Sequence, residues 1–360
     1  MLSRTARALS VALRSTTGLL AVRQLIGAAN AAAPIRPDEA DGISISVVIP
    51  ARDEAARLGP LLDAIVKAPG VAEVIVVDDR SSDATAANAA AAGATVVAGT
   101  PLPDGWVGKA WALQQGIEAA VGEWVVTLDA DTRPDPRLPG SLVARSIDDG
   151  FDLLTVAGRF DCPTVGSRWL HPAMLTTLVY RFGAPGAATA GRPMANGQCM
   201  VFRREPFLDA GGMETVGGEV VEDIALARSL SDAGRHVGFL DAGDLLTVRM
   251  FESLDDTWRG WGRSLALPGV DTRARQLIDL AVVVFAQALP LPRILVGRGD
   301  LIDAVMLAMR LGTLAGTRTA YTHIDVPYWA SPLADLPAAA AIANGIRRGG
   351  TQVWRGRRYD

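Results

Sequence analysis

Two carboxylates separated by one alanine, Asp129 and Asp131, end the apolar, β-prone run Val125-Val-Thr-Leu-Asp-Ala-Asp-Thr132. Side chains alternate faces along a strand, so both can leave its end in one direction, where a hard divalent cation could bridge them to phosphate oxygens. By itself an Asp-x-Asp pair is a weak signal, and its surroundings must decide. Further carboxylates stand at Asp78-Asp79 and, about ninety residues beyond the first pair, at Glu222-Asp223, while a lone Lys109 follows a Pro/Gly-rich loop, Gly99 to Gly108.

The elements that position these residues read as an alternation. Ser44 to Pro50, Ala72 to Asp78 and Ala94 to Val97 are strand-like, with helical patterns at Ala55 to Lys67 and Asp83 to Ala92 between them. That is a βαβαβ unit, which demands a parallel sheet covered by helices. Lys109 to Val121 continues as a helix and Glu123 to Leu128 as the strand that delivers the Asp pair. Ligands of open α/β sheets sit outside the carboxyl ends of the strands, and Asp78, Asp79, Asp129 and Asp131 all fall there. A helix to about Asp149 and a strand Phe151 to Arg159 follow, then a mixed pattern. Beyond it come a strand Gly197 to Phe202, a short helix Glu205 to Ala210, a helix Val221 to Ala233 opened by the second acidic pair, and strands near His236 to Leu240 and Leu245 to Met250.

Composition excludes some functions. The net charge of −4, with no long basic stripe, removes nucleic acid as an expected partner. Two cysteines, Cys162 and Cys199, do not make a disulfide framework, and His171, His236 and His323 are too scattered for a zinc site. His171 and Cys199 are expected to pack or bond locally, and Asp83 to cap a helix.

The two ends differ from the middle. The first 37 residues carry five arginines and no acid. They are read as a membrane-surface helix, with a transit peptide, a spanning helix and a plain docking helix as alternatives. Leu280 to Leu291 and Leu301 to Gly316 are apolar but shorter than the ~18 residues of a spanning helix, so a membrane hairpin or re-entrant insertion is expected, with a buried amphipathic pair as the rival reading. The expected organisation is residues 1–40 as an N-terminal basic helix, 41–268 as the catalytic domain, and 269–360 as membrane-associated helices with a basic tail on the cytoplasmic side.

Several nucleotide schemes fail. Pro50-Ala-Arg-Asp-Glu-Ala55 has no glycine where a dinucleotide fingerprint needs it, and Gly108-Lys109 lacks both the first glycine and the Ser/Thr of a phosphate loop. Aspartyl-phosphate chemistry would want the Asp pair after the first strand. What remains is Val48-Ile-Pro-Ala-Arg-Asp-Glu54, Val76-Val-Asp-Asp-Arg-Ser-Ser-Asp-Ala-Thr85, Thr127-Leu-Asp-Ala-Asp131, Asn196-Gly-Gln-Cys-Met-Val-Phe-Arg-Arg-Glu205 and Glu222-Asp223. In this order, over residues 43 to 265, the chain resembles the family 2 glycosyltransferases. Gly105-Trp-Val-Gly-Lys-Ala110 and Trp354-Arg-Gly-Arg-Arg-Tyr359 narrow the likeness to the membrane-associated branch found with carotenoid and hopanoid biosynthesis.

The resemblance implies a GT-A fold, a mixed and mostly parallel α/β sheet, with a C-terminal hydrophobic helical region. It implies Mg²⁺ or Mn²⁺ on Asp131, the donor ribose near Asp129, phosphate near Lys109, and a base pocket lined by Pro50, Glu54 and Asp79. Asp223 becomes the general base, positioned by Glu222. Gly197, Trp258, Trp261 and Arg263 become the acceptor region; Thr257-Trp-Arg-Gly-Trp-Gly-Arg-Ser264 lacks the Gln-x-x-Arg-Trp motif of processive synthases, which favours transfer of one sugar. The expected reaction moves one hexose from a UDP- or GDP-sugar to a lipid or isoprenoid acceptor at the cytoplasmic membrane face. The alternatives are a polyprenyl phosphate acceptor and a noncatalytic interaction module.

Overall fold

The computed structural model describes residues 4–40, 42–187, 191–349, 352–354 and 357–359. The side chain of Arg263 and those of the Trp354 to Tyr359 motif lie outside the described part. Ten strands carry the central architecture: β1 (Ile45–Ala51), β2 (Val71–Asp78), β3 (Thr95–Ala98), β4 (Trp124–Leu128), β5 (Thr132–Pro134), β6 (Leu153–Ala157), β7 (Arg159–Asp161), β8 (Cys199–Arg203), β9 (Val237–Asp241) and β10 (Leu246–Arg249). Seven form one sheet in the order β3-β2-β1-β4-β8-β6-β9, and β5-β10-β7 form a small second sheet. All neighbours in the large sheet run parallel except β8, which is antiparallel to both β4 and β6. The chain is thus mixed α/β with a mostly parallel central sheet.

Helices follow the strands in chain order: α1 (Arg4–Ala29) precedes the sheet, then α2 (Leu58–Ile65), α3 (Thr85–Ala91), α4 (Gly108–Ala119), α5 (Leu138–Asp149), α6 (Val165–Phe182), α7 (Arg204–Asp209) and α8 (Glu222–Asp232). Beyond the sheet lie α9 (Leu254–Ser264), α10 (Arg273–Val282), α11 (Pro290–Leu295), α12 (Leu301–Gly316), α13 (Val326–Trp329) and α14 (Asp335–Arg348).

The period of two along each strand divides the core between the two faces of the sheet. Val47, Ile49, Val76, Val126 and Leu128 pack with Leu58, Leu61 and Leu142 of α2 and α5. Val48, Val77 and Val125 pack with Leu113 and Ile117 of α4 on the other side. Because both faces are covered, β1 and β4 read as nearly continuous apolar runs. Gly116 lets α4 approach closely: a Cβ there would lie 2.4 Å from Val48 Cγ1.

Three expectations need correction. The strand expected over Phe151 to Arg159 is two strands in different sheets, split at Gly158, where a Cβ would meet the Leu246 carbonyl at 2.9 Å. The mixed region conceals α6, an 18-residue helix begun by a Thr164–Ser167 capping box. Its His171, Thr176, Thr177 and Arg181 are buried together with its apolar residues, so it has no polar face and hence no helical periodicity in the sequence. The third concerns the apolar C-terminal segments: among the described residues no helix is long and apolar enough to cross a membrane. The Leu280 to Leu291 segment is broken into the end of α10, a π-helical turn over Val283–Ala288 and the start of α11.

Candidate active site

Parallel pairing brings the carboxyl ends of β1, β2 and β4 to one edge, so residues far apart in sequence meet there by topology alone. β1 leads into Glu54, β2 into Asp79, and β4 into Asp129 and Asp131. After β4 the chain turns at once: the Thr132 N–H and hydroxyl both donate to the Asp129 carbonyl, at 3.0 and 2.7 Å. The antiparallel β8 begins at the same edge, and the Asp129 N–H donates to the Gln198 carbonyl at 3.0 Å. That bond sets Gly197 beside the Asp pair. The first turn of α8 contributes Glu222 and Asp223.

Lys109, in the first turn of α4, ties these segments together. Its ammonium lies 2.9 and 3.0 Å from the two oxygens of Asp129 and 3.1 Å from Glu222 Oε1, and donates to the Gly197 carbonyl at 3.2 Å. Asp223 accepts the Gly197 N–H at 2.7 Å through one oxygen and the Ile224 N–H at 2.8 Å through the other. Asp131 differs from the others: its Oδ1 is buried and has no hydrogen-bond partner among the described residues.

The charges are strongly perturbed. Burial pushes the Asp223 carboxyl up to about 6, helped by Glu222 and opposed by Lys109 and the two backbone N–H groups. Asp129 is likewise pushed up to about 6 by burial, with Lys109 opposing and Asp131 adding to the rise. Burial and then Glu54 raise Asp131. Burial alone would lower Lys109, but Asp129, Glu222 and Asp223 outweigh it and hold the ammonium above its ordinary value. Four carboxylates around one ammonium leave an excess of buried negative charge, the electrostatic setting in which a hard cation binds.

Glu54 and Asp79 lie at 8% and 4% exposure on the neighbouring wall. Two arginines that the sequence reading did not assign accompany them. Arg52 Nη1 donates to the Asp79 carbonyl at 3.0 Å and lies 3.5 Å from its carboxylate, while Arg57 lies 3.6 Å from Glu54. Their signal was present in the sequence, as charged residues in the loop that leaves β1. Asp83, by contrast, accepts the Thr85 and Ala55 N–H groups just before α3, whose N-cap position is Ala84 rather than the Asp83 expected to cap it.

All these groups open on one cleft of about 1360 Å³, whose lining includes Pro50, Glu54, Asp79, Lys109, Asp129, Asp131, Gly197, Glu222 and Asp223. That exceeds the roughly 300–1,000 Å³ of an ordinary small-molecule pocket, leaving room for two reactants. Its lining also includes an aromatic and apolar stretch, beside the charged Asp255, Asp256 and Arg259. Trp258 and Trp261 of α9 line it with Leu178 and Phe182 of α6, a helix absent from the sequence reading. Trp261 packs on the ring of His171 at 4.1 Å between centroids. His171 is itself buried, shares a hydrogen bond of 2.9 Å with the Tyr321 hydroxyl, and is pushed down to about 3 by burial, so it is a neutral packing residue. Cys199 is buried in β8.

Residues 46–210 match the family described as Glycosyl transferase family 2. The 4,4'-diaponeurosporenoate glycosyltransferase of Staphylococcus haemolyticus (strain JCSC1435) is 26% identical over 240 residues, which cover 64% of this chain and 63% of that protein. The protein of the same name from Staphylococcus aureus (strain MRSA252) is 25% identical over 251 residues, covering 67% and 66%. The chain spans just under two thirds of the length of these curated relatives. Among solved structures, glucosyl-3-phosphoglycerate synthase from Mycobacterium tuberculosis, in complex with Mn²⁺, uridine diphosphate and phosphoglyceric acid, is similar over 64% of this chain and 82% of that one, at 24% identity and a TM-score of 0.45. The family match ends before α8, so what is said of Glu222 and Asp223 rests on their geometry.

Proposed function

We propose that the chain is a GT-A glycosyltransferase that moves a single hexose from a UDP- or GDP-sugar to a lipid-soluble hydroxyl acceptor, with inversion and with the help of a divalent cation. One observation carries the reading: a single cleft holds Asp131, with its unpartnered buried oxygen, and Asp223, a carboxylate held by two backbone N–H groups, and its lining also includes Trp258, Trp261, Leu178 and Phe182. The relatives named for 4,4'-diaponeurosporenoate support a carotenoid-like acceptor.

The residues fit a cation. Among the described residues no cluster of three or more His, Cys, Asp or Glu could hold one unaided. Mg²⁺ and Mn²⁺ in nucleotide sites are held by one or two carboxylates plus substrate phosphates, and Asp131 has an oxygen to offer. When bound, Mg²⁺ or Mn²⁺ supplies positive charge to the departing diphosphate. Glu54 and Asp79 accept the imide N–H of a uracil or guanine base. Asp129 orients the donor ribose. Lys109 holds Asp129, Glu222 and the Gly197 carbonyl at fixed spacing, and Glu222 keeps that lysine beside Asp223.

Asp223 acts as the base. With a value near 6 it is ionised at neutral pH, yet basic enough to take a proton in a transition state. It removes the proton of the acceptor hydroxyl as that oxygen bonds to the anomeric carbon. The bond from the anomeric carbon to the diphosphate breaks, and its electron pair leaves with the nucleoside diphosphate. Attack from the opposite face inverts the centre. Trp258, Trp261 and Phe182 keep water from competing with the acceptor.

The test is incubation of the purified chain with labelled UDP- and GDP-sugars, Mn²⁺ and a panel of apolar alcohols and carotenoid acids, followed by mass spectrometry of the lipid extract. A labelled lipid is expected, and Asp223→Asn should slow its formation by about 10²- to 10⁴-fold. No labelled lipid with any donor, together with no Mn²⁺-dependent nucleotide binding, overturns the proposal. Full turnover by Asp223→Asn would point to an acceptor that is already anionic, such as a polyprenyl phosphate.

A further inference from the structure

The helices at the two ends of the chain are built inside out. In α12 the two charged residues, Asp303 and Arg310, are each 1% exposed, whereas the exposed positions from 301 to 312 are Leu301, Ala304, Val305, Ala308, Leu311 and Gly312. α1 repeats the pattern: it buries Arg14 and Thr17 and exposes Leu9, Leu13, Leu19, Leu20 and Ile26. The two helices lie side by side. Arg14 reaches Asp300 at 2.6 Å and Asp303 at 3.0 Å, and one turn on, Gly18 abuts the end of Met306. α10 and α11 adjoin them, burying Gln276 and Asp279 while exposing Leu277, Ile278, Leu295 and Val296. Of the 22 large hydrophobic residues exposed among the described residues, only four fall between residues 41 and 268. A helix in water does the opposite.

We infer that the outer faces of α1 and α12, with the adjoining α10 and α11, form a docking surface for an anionic lipid bilayer. Charge favours lipid over protein as the occupant. The exposed charges on these helices and their connections are Arg7, Arg23, Arg273, Arg275 and Arg298, against a single acid, Asp300, which Arg14 already holds. Arginines near an anionic leaflet are attracted to its negative surface potential. Length favours lying on the surface over crossing it: the 16 residues of α12 reach about 24 Å, short of the ~30 Å hydrocarbon layer. The surface is also continuous with the cleft, since Gly316 and Thr317 at the end of α12 line it. A lipid acceptor would therefore enter from the layer on which the protein rests. Docking stands independently of the transfer reaction proposed above, and only this passage of the acceptor rests on it.

The experiment is co-sedimentation of the full chain with vesicles of phosphatidylcholine, alone or with about one third phosphatidylglycerol. The wild-type chain should bind the mixed vesicles. The triple variant Leu301→Ser, Val305→Ser, Leu311→Ser alters positions 79%, 51% and 48% exposed, so it should fold with an unchanged thermal midpoint and bind at least about tenfold more weakly. Leu9→Ser with Leu19→Ser on α1 should act in the same direction. Asp131→Asn should bind vesicles like the wild type, so failure of donor binding and failure of docking are read separately. The inference is overturned if the wild-type chain stays in the supernatant, if the triple variant sediments equally well, or if ultracentrifugation shows that the face instead joins two copies of the chain that do not bind vesicles.

Discussion

Replacing Lys109 by Met removes the ammonium that lies within 3.1 Å of both Asp129 and Glu222 while keeping most of the side-chain volume. Breaking a buried ion pair from one side costs about 3–5 kcal/mol, because the charge left behind stays buried. Lys109 and Asp129 are 19% and 25% exposed, so some water reaches them and the lower end, about 3 kcal/mol, applies. At about 2 °C per kcal/mol for a chain of this size, the thermal midpoint should fall by about 6 °C. The lysine also holds Asp129 and Asp223 down against the burial that pushes each to about 6, so its loss raises both further. Because these carboxyls sit above their ordinary value, the folded chain binds more protons than the unfolded chain between about pH 4 and 6, and stability falls as pH rises through that window. In the variant the window extends upward, so its stability deficit is larger at pH 8 than at pH 5. The acidic limb of kcat/KM, set near 6 by Asp223, should move up by about one unit. Scanning fluorimetry at the two pH values and a pH–rate profile measure both effects. A midpoint within about 1 °C of wild type, with the limb still at 6, would refute the reasoning.

Other substitutions probe separate parts of the site and scaffold. Asp131→Asn should weaken Mn²⁺-dependent nucleotide binding by about 10- to 100-fold in calorimetry, and EDTA should abolish that binding in the wild type. Gly197→Ala would bring a Cβ to 3.1 Å from Lys109 Nζ and from the Asp223 side chain, and 3.2 Å from Glu222. It should lower kcat by about tenfold while leaving the thermal midpoint nearly unchanged, since the displaced groups belong to chemistry more than to packing. Arg310 and Asp335 form a pair 3.0 Å apart, each side chain 2% exposed or less, with Gln287 also donating to the carboxylate. Arg310→Met should cost about 3–5 kcal/mol by chemical denaturation, and the double variant Arg310→Met, Asp335→Leu should recover most of it.

The carboxylates at the strand ends were legible in the sequence because strand periodicity and βαβ handedness are local rules with one global consequence. Once β1, β2 and β4 are parallel, Glu54, Asp79, Asp129 and Asp131 must share an edge. The arginines beside Glu54 and Asp79 were visible but unassigned, since a charged loop residue carries no periodicity to mark its partner. Side-chain partners were not legible at all. Nothing local tells that Lys109 will bond a carbonyl 88 residues away, or that Asp131 rather than Asp129 will keep a free oxygen. The helices at the chain ends show the limit most clearly. The bounds of α12 agree with the apolar run read from the sequence, but which of its faces looks outward was decided only by the tertiary structure. Hydrophobic pattern specifies a helix and its stripes, whereas burial of Asp303 and Arg310 depends on Arg14 and Asp335 arriving from opposite ends of the chain to neutralise them.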